Sequence, residues 1–244
     1  MANTKISALT ELSGADVDIA ADFLAIVDTG ATESKKIIPS NLLGAAFTTA
    51  GDILQASGDG VAARLGIGTA RQVPTVNSGA TALAYANPIT IATEQASTSG
   101  TSIDFTGIPA GVRRITIMFV GVSTNGTSNR LIQLGDAGGF ENSGYSGSGT
   151  LFSSTALNVA NYTTGFGIQT GSASDVLSGT MILTLEDASD FTWTCMSVTS
   201  VSNSTAQFIT AGSKALSATL TQVRITTVNG TDAYDAGAIN ISYE

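Results

Sequence analysis

Alternation of apolar and polar positions runs through the second half of the chain. Ile115, Ile117 and Phe119 share one face of a period-two stretch whose other face carries Arg114, Thr116 and Met118. Met181, Leu183 and Leu185 repeat the pattern, as do Phe191, Trp193 and Cys195, then Val223 and Ile225, then Ile239, Ile241 and Tyr243. This spacing predicts half-buried β-strands. Gly/Asn/Ser/Thr clusters at 121–128 and 135–149 separate them and read as turns. Helical spacing is nearly absent. The best candidate is the stretch 40–47, where Ser40 caps one or two turns. Three zones follow: a segment 1–50 with two short strands near 22–28 and 35–38, a stretch 51–87, and a region 88–244 long enough for nine to eleven strands. The middle zone holds an internal echo, Leu54-Gln55-Ala56-Ser57-Gly58 followed by Thr75-Val76-Asn77-Ser78-Gly79, each read as a strand entering a turn. The predicted fold class is mostly β. A distal antiparallel, jelly-roll-like β-sandwich is preceded by a short intertwined β shaft and a small amino-terminal segment.

Composition sharpens this picture. Charged residues make up 12% of the 244 positions, about half the usual share, while 27 Gly, 27 Ser and 34 Thr fill over a third. Threonine suits solvent-facing strand positions without adding charge. Mean hydropathy is +0.26, yet no apolar run approaches the roughly 18 residues a membrane span needs, and no signal peptide is expected. The first 87 residues are poor in aromatics and charge. They bury too little to repay the roughly 1–2 kcal/mol per residue that ordering costs, so partner chains are expected to hold them.

Absent residues exclude chemistry. With no histidine, His-based triads and His-ligated metals are ruled out. One cysteine, Cys195, precludes an intrachain disulfide and reads as a small buried hydrophobe. A net charge of -9 argues against a nucleic-acid groove, and Arg113, Arg114 and Arg130 are too few for a phosphate-binding face. Asp136 and Glu141 flank a Gly-rich loop, and Glu186, Asp187 and Asp190 cluster between two strands. Either set has the carboxylates that glycoside hydrolysis or calcium binding uses, but both read first as solvated turns. No catalytic residue, metal or cofactor is expected. Asn125, Asn203 and Asn229 open Asn-x-Ser/Thr sequons that read as turns. Trp193, in alternation, reads as core. Tyr145, Tyr162 and Tyr234, in polar Gly/Ser/Asn surroundings, and Asn142 are the candidate receptor contacts, because loops carry recognition on a rigid scaffold.

Three stretches carry a family resemblance. Lys5-Ile6-Ser7-Ala8-Leu9-Thr10-Glu11-Leu12, Asp22-Phe23-Leu24-Ala25-Ile26-Val27-Asp28 and Lys35-Lys36-Ile37-Ile38-Pro39-Ser40-Asn41-Leu42-Leu43 resemble the amino-terminal segment of tailed-bacteriophage fibre proteins. Gly51-Asp52-Ile53-Leu54-Gln55-Ala56-Ser57-Gly58, Ala63-Arg64-Leu65-Gly66-Ile67-Gly68-Thr69-Ala70 and Val76-Asn77-Ser78-Gly79-Ala80-Thr81 are similar to a shaft module of such fibres, and Ile103-Asp104-Phe105-Thr106-Gly107-Ile108-Pro109-Ala110-Gly111-Val112-Arg113-Arg114-Ile115-Thr116 resembles a domain at their carboxy-terminal ends. The resemblance implies a homotrimeric virion fibre assembled in the host cytoplasm. Residues 1–50 dock on tail, baseplate or capsid proteins, with Phe23, Ile26, Ile37, Ile38, Leu42 and Leu43 as docking residues. Residues 51–87 wind with two sister chains, and 88–244 meet a host cell-surface glycan. Two other roles compete: a head fibre, decoration or connector protein without receptor contact, and a polysaccharide depolymerase using Glu186, Asp187 or Asp190. Neither nucleic acid nor membrane insertion is expected.

Overall fold

The computed structural model describes residues 24–26, 35–37, 47–58 and 61–244. The chain divides into two units, Met1–Pro88 and Ile89–Glu244.

The first unit is a set of separate hairpins. β1 (Leu24–Ile26) pairs antiparallel with β2 (Lys35–Ile37). Of the named docking residues, Phe23, Ile38, Leu42 and Leu43 lie outside the described residues, as does the helical stretch 40–47 apart from exposed Phe47. The internal echo resolves into two hairpins, β3 (Ile53–Gly58) with β4 (Val61–Leu65), and β5 (Val73–Val76) with β6 (Leu83–Ala86). Asp52 anchors the first: its carboxylate accepts the N–H groups of Thr48, Thr49 and Ile67 and pairs with Arg64 at 3.0 Å. Burial would raise the Asp52 pKa, but these four donors outweigh it and hold the carboxyl well below its usual range. The Gln55 side-chain oxygen accepts the Leu83 N–H at 2.8 Å, tying one hairpin to the other.

The second unit holds β7 (Thr90–Ile91), β8 (Gln95–Ala96), β9 (Ile103–Thr106), β10 (Arg114–Thr124), β11 (Arg130–Asp136), β12 (Gly139–Phe140) and β13 (Ser146–Ser153). β14 (Leu157–Tyr162), β15 (Phe166–Ile168), β16 (Leu177–Asp187), β17 (Thr192–Val201), β18 (Ala206–Ala215), β19 (Gln222–Thr227) and β20 (Tyr234–Tyr243) complete it. These fourteen strands exceed the nine to eleven expected because several, such as β7, β8 and β12, span only two residues. They form a nine-stranded sheet, β14-β13-β18-β17-β16-β10-β20-β7 with β8 also on β20, and a five-stranded sheet, β12-β11-β19-β9 with β15 also on β11. All pairings are antiparallel. Successive strands change sheet at β9–β10–β11 and at β18–β19–β20, whereas β16, β17 and β18 stay in one sheet as a meander.

Both sheets contribute to one core. Ile115, Ile117, Met181, Leu183, Trp193 and Ile241 come from the larger sheet, and Phe105, Ile132, Phe166, Val223 and Ile225 from the smaller. Each buried aliphatic or aromatic side chain adds about 1.5–3 kcal/mol, so alternation along the strands is converted directly into packing. Trp193 and Cys195 are buried, as alternation predicts. Phe191 departs from the pattern: it precedes β17 in a turn with φ of 56°, while Trp193 and Cys195 of its expected row lie in the strand. β10 also runs through residue 121, where a turn was expected. Its register shifts between Val120 and Ser123 absorb Gly121, so the strand bends without ending.

Candidate functional site

Tyr145, Tyr162 and Tyr234 are buried rather than displayed on loops, at 4%, 6% and 1% exposure. Each has a structural reason. The Tyr145 ring meets Phe166 edge-on at 5.1 Å, and its hydroxyl accepts the Leu134 N–H at 2.7 Å while donating to the Glu141 carbonyl at 3.1 Å. Tyr234 donates to the Thr226 carbonyl at 3.1 Å. Tyr162 fills the space left by Gly167, where an added Cβ would stand 2.2 Å from its ring. Burial raises the pKa of all three phenols, Tyr162 to about 12. None offers an open ring face for a sugar to stack on. Asn142 is exposed.

Two of these tyrosines nevertheless meet. Tyr145 and Tyr162 edge an open groove of about 530 Å³, together with Ser146, Gly147, Ser148, Asn161, Thr163, Ala211 and Gly212. Strands β13, β14 and β18 bring these positions together through the pairs Gly147↔Tyr162 and Gly147↔Gly212. Gly212 is required there, since a Cβ would lie 2.6 Å from the Ser146 carbonyl oxygen and 2.7 Å from the Gly147 Cα. The result is a trough with side-chain hydroxyls and one amide along it and no charged residue. Its volume suits a small ligand, and its chemistry suits a neutral, hydroxyl-rich one.

The carboxylates flagged in the sequence are engaged elsewhere. Asp136 is 3% exposed; its oxygens accept the Ser217 hydroxyl at 2.6 Å and the Gly138 N–H at 2.7 Å. These bonds, the Ser217 one first, hold its carboxyl below the usual range. Glu141 accepts the Ser217 N–H at 2.7 Å and pairs with Lys214, which is 6% exposed and whose Nζ sits 5.4 Å above the Tyr145 ring. Burial would raise the Glu141 pKa, but Lys214 and Ser217 prevail and lower it. The cluster thus ties the β11–β12 turn and β18 to the segment after β18. On the other turn, Asp187 accepts the Ser189 N–H and Asp190 accepts the Thr192 hydroxyl, both at 2.7 Å, closing the β16–β17 hairpin locally. Among the described residues, no group of three or more His, Cys, Asp or Glu is placed to hold a metal ion. Among them also, no helix is long and apolar enough to cross a membrane.

A pH prediction follows from Glu141. Its pKa is lower folded than unfolded, so it contributes stability above its ordinary value of 4.5 and loses that contribution as pH falls through the folded value. Thermal midpoints measured from about pH 6 down to about pH 3 should fall along an acid limb that Glu141→Gln makes shallower. Parallel acid limbs for the two proteins would contradict the assignment.

Lys214, Ser146, Ser148, Asn161 and Thr163 escaped the reading of the sequence. Isolated hydroxyls in a Ser/Thr-rich chain carry no signal, and Lys214 gains meaning only from Glu141, 73 positions away. Comparisons with protein-family models, curated proteins and solved structures find no match.

Proposed function

We propose that this chain is a structural protein of a tailed-bacteriophage particle: a short homotrimeric fibre that attaches by its amino-terminal segment and meets a host cell-surface glycan with its distal unit. The observation that carries the reading lies in the first unit. Among residues 47–88 whose exposure is described, none is buried, while Ile67 and Val76 are 56% and 60% exposed. A lone two-stranded hairpin is marginal in water, and here two of them expose the side chains that would stabilise them. Burial against sister chains repairs this deficit, and the resemblance to phage fibres in stretches between residues 5 and 116 implies the same arrangement. The neutral groove at Ser146, Ser148 and Asn161 supports a glycan as the ligand, held weakly at each site and firmly by repetition over three copies.

Light scattering on the purified chain tests the assembly, with three times 24.6 kDa expected. A species of 24.6 kDa that persists at tens of micromolar would overturn it. Adsorption tests the role. Particles lacking the protein should bind host cells poorly, and undiminished adsorption would move the chain to a head-fibre, decoration or connector role.

A further inference from the structure

The outward faces of the two sheets differ in kind. On the five-stranded sheet, Arg224 makes a two-pronged pair with Asp104, both bonds 2.8 Å, and lies 4.2 Å from the centre of the Phe140 ring. That is an ordinary solvated surface. On the nine-stranded sheet, Phe152, Leu157, Val159, Met196, Val198 and Ile209 stand outward at 42–68% exposure. Register places them side by side: Phe152 opposite Leu157, Thr150 between Val159 and Ile209, and Val198 opposite Ile209 and Thr180. The outward residues among them are Thr150, Ser148, Gln207, Ala211, Ser200 and Thr180. No charged residue interrupts this patch. Charges stand at the end of the face: Arg114, paired with Glu244 at 2.6 Å, and the exposed Glu186 and Asp187 where β16 ends.

We infer that this face is where copies of the same chain pack against one another, an inference that rests on the self-association proposed above and assigns it a second surface. Charge decides the occupant. Copies carrying -9 each repel unless they meet where neither presents a carboxylate, and the middle of this face, away from its charged end, meets that condition while holding several large exposed apolar side chains. A charged partner finds nothing to pair with here, and a polar glycan leaves the methyl groups uncovered. Size agrees. Strands spaced about 4.8 Å apart, from β14 across to β20, and about six residues of strand length give a neutral area on the order of 600 Å² in projection, close to the roughly 800 Å² per partner of a stable interface. The groove shares Ser148 and Ala211 with this face and extends past it to Tyr145, Tyr162 and Thr163.

Cysteine labelling of the full-length chain tests this. Val198 on the face and Val228 off it are matched at 52% and 51% exposure, and Cys195 is 6% exposed with its thiol pushed up to about 12 by burial, so it reacts slowly in both variants. Val198→Cys should react with a maleimide at least about tenfold more slowly than Val228→Cys in the native chain, and equally fast in denaturant. An oligomer in which both react at the same rate overturns the face while leaving self-association standing. A monomer in which both react fast overturns both. Rapid reaction in the pure protein with protection only inside assembled particles assigns the face to a different protein and also overturns the inference.

Discussion

Gly237→Ala should cost the second unit about 3 kcal/mol or more, enough to lower the thermal midpoint by many degrees. Gly237 sits in β20 with φ of 89°, at the point where its register against β10 shifts. A Cβ there would fall 2.3 Å from the carbonyl oxygen of Gly121 and 2.6 Å from that of Val120. Both obstacles are backbone, so relief requires β10 and β20 to separate. The displacement also reaches Ser97, fully buried, whose N–H donates to Gly237 and whose hydroxyl donates to Ala236 at 2.8 Å. Gly107→Ala is the control. It has φ of 74° and open space around it, so it bears only the conformational penalty of about 1 kcal/mol. Equal losses in the two variants would contradict a clash at the bulge. Melting curves at one protein concentration make the comparison, because assembly shifts apparent stability.

Arg130→Ala should destabilise the chain by about 3 kcal/mol. Arg130 is fully buried, and its guanidinium donates to the Thr170 hydroxyl at 3.0 Å and to the carbonyls of Val122 and Asp175 at 3.3 and 3.0 Å. Burial pulls its pKa below the usual guanidinium value, and nearby Tyr234, Asp175 and Asp235 oppose that pull. No carboxylate of the described residues lies within ion-pair distance of it. The side chain therefore acts as a donor fork joining β10, β11 and the segment before β16. Truncation leaves two carbonyls and a hydroxyl without donors and opens a cavity. Arg130→Lys keeps the charge but not the fork and should fall between Ala and wild type. The urea midpoints of the three proteins give the ordering, and a loss below about 1 kcal/mol for Ala would refute the bracing role.

Both positions were opaque in the sequence. Gly237 is one of 27 glycines, and in the sequence Arg130 is one of too few arginines for a phosphate-binding face. The rows of Ile115, Ile117 and Phe119 and of Met181 and Leu183 were legible because alternation is local and each row faces the core. β13 and β14 were not read as strands. Their Ser/Gly/Asn composition resembles a turn, and only pairing with β18 makes the segment a strand. The groove is legible in part: the sequence marks Tyr145 and Tyr162, though as open rings, and carries no signal for the hydroxyls beside them.

By itself the sequence determined the β class, the apolar rows of the distal strands, the hairpins in the echo, and the chemistry excluded by having no histidine and one cysteine. Those properties depend on residue type and on spacing of a few positions. Tertiary structure alone decided that Tyr162 and Tyr234 turn inward, that Asp136 and Glu141 serve as ties, and that the larger sheet keeps an uncharged apolar face outward. Alternation defines two faces for a strand, but not which one meets the core. That choice depends on neighbours in other strands, as Gly149 and Gly167 are for Tyr162 and Thr226 is for Tyr234.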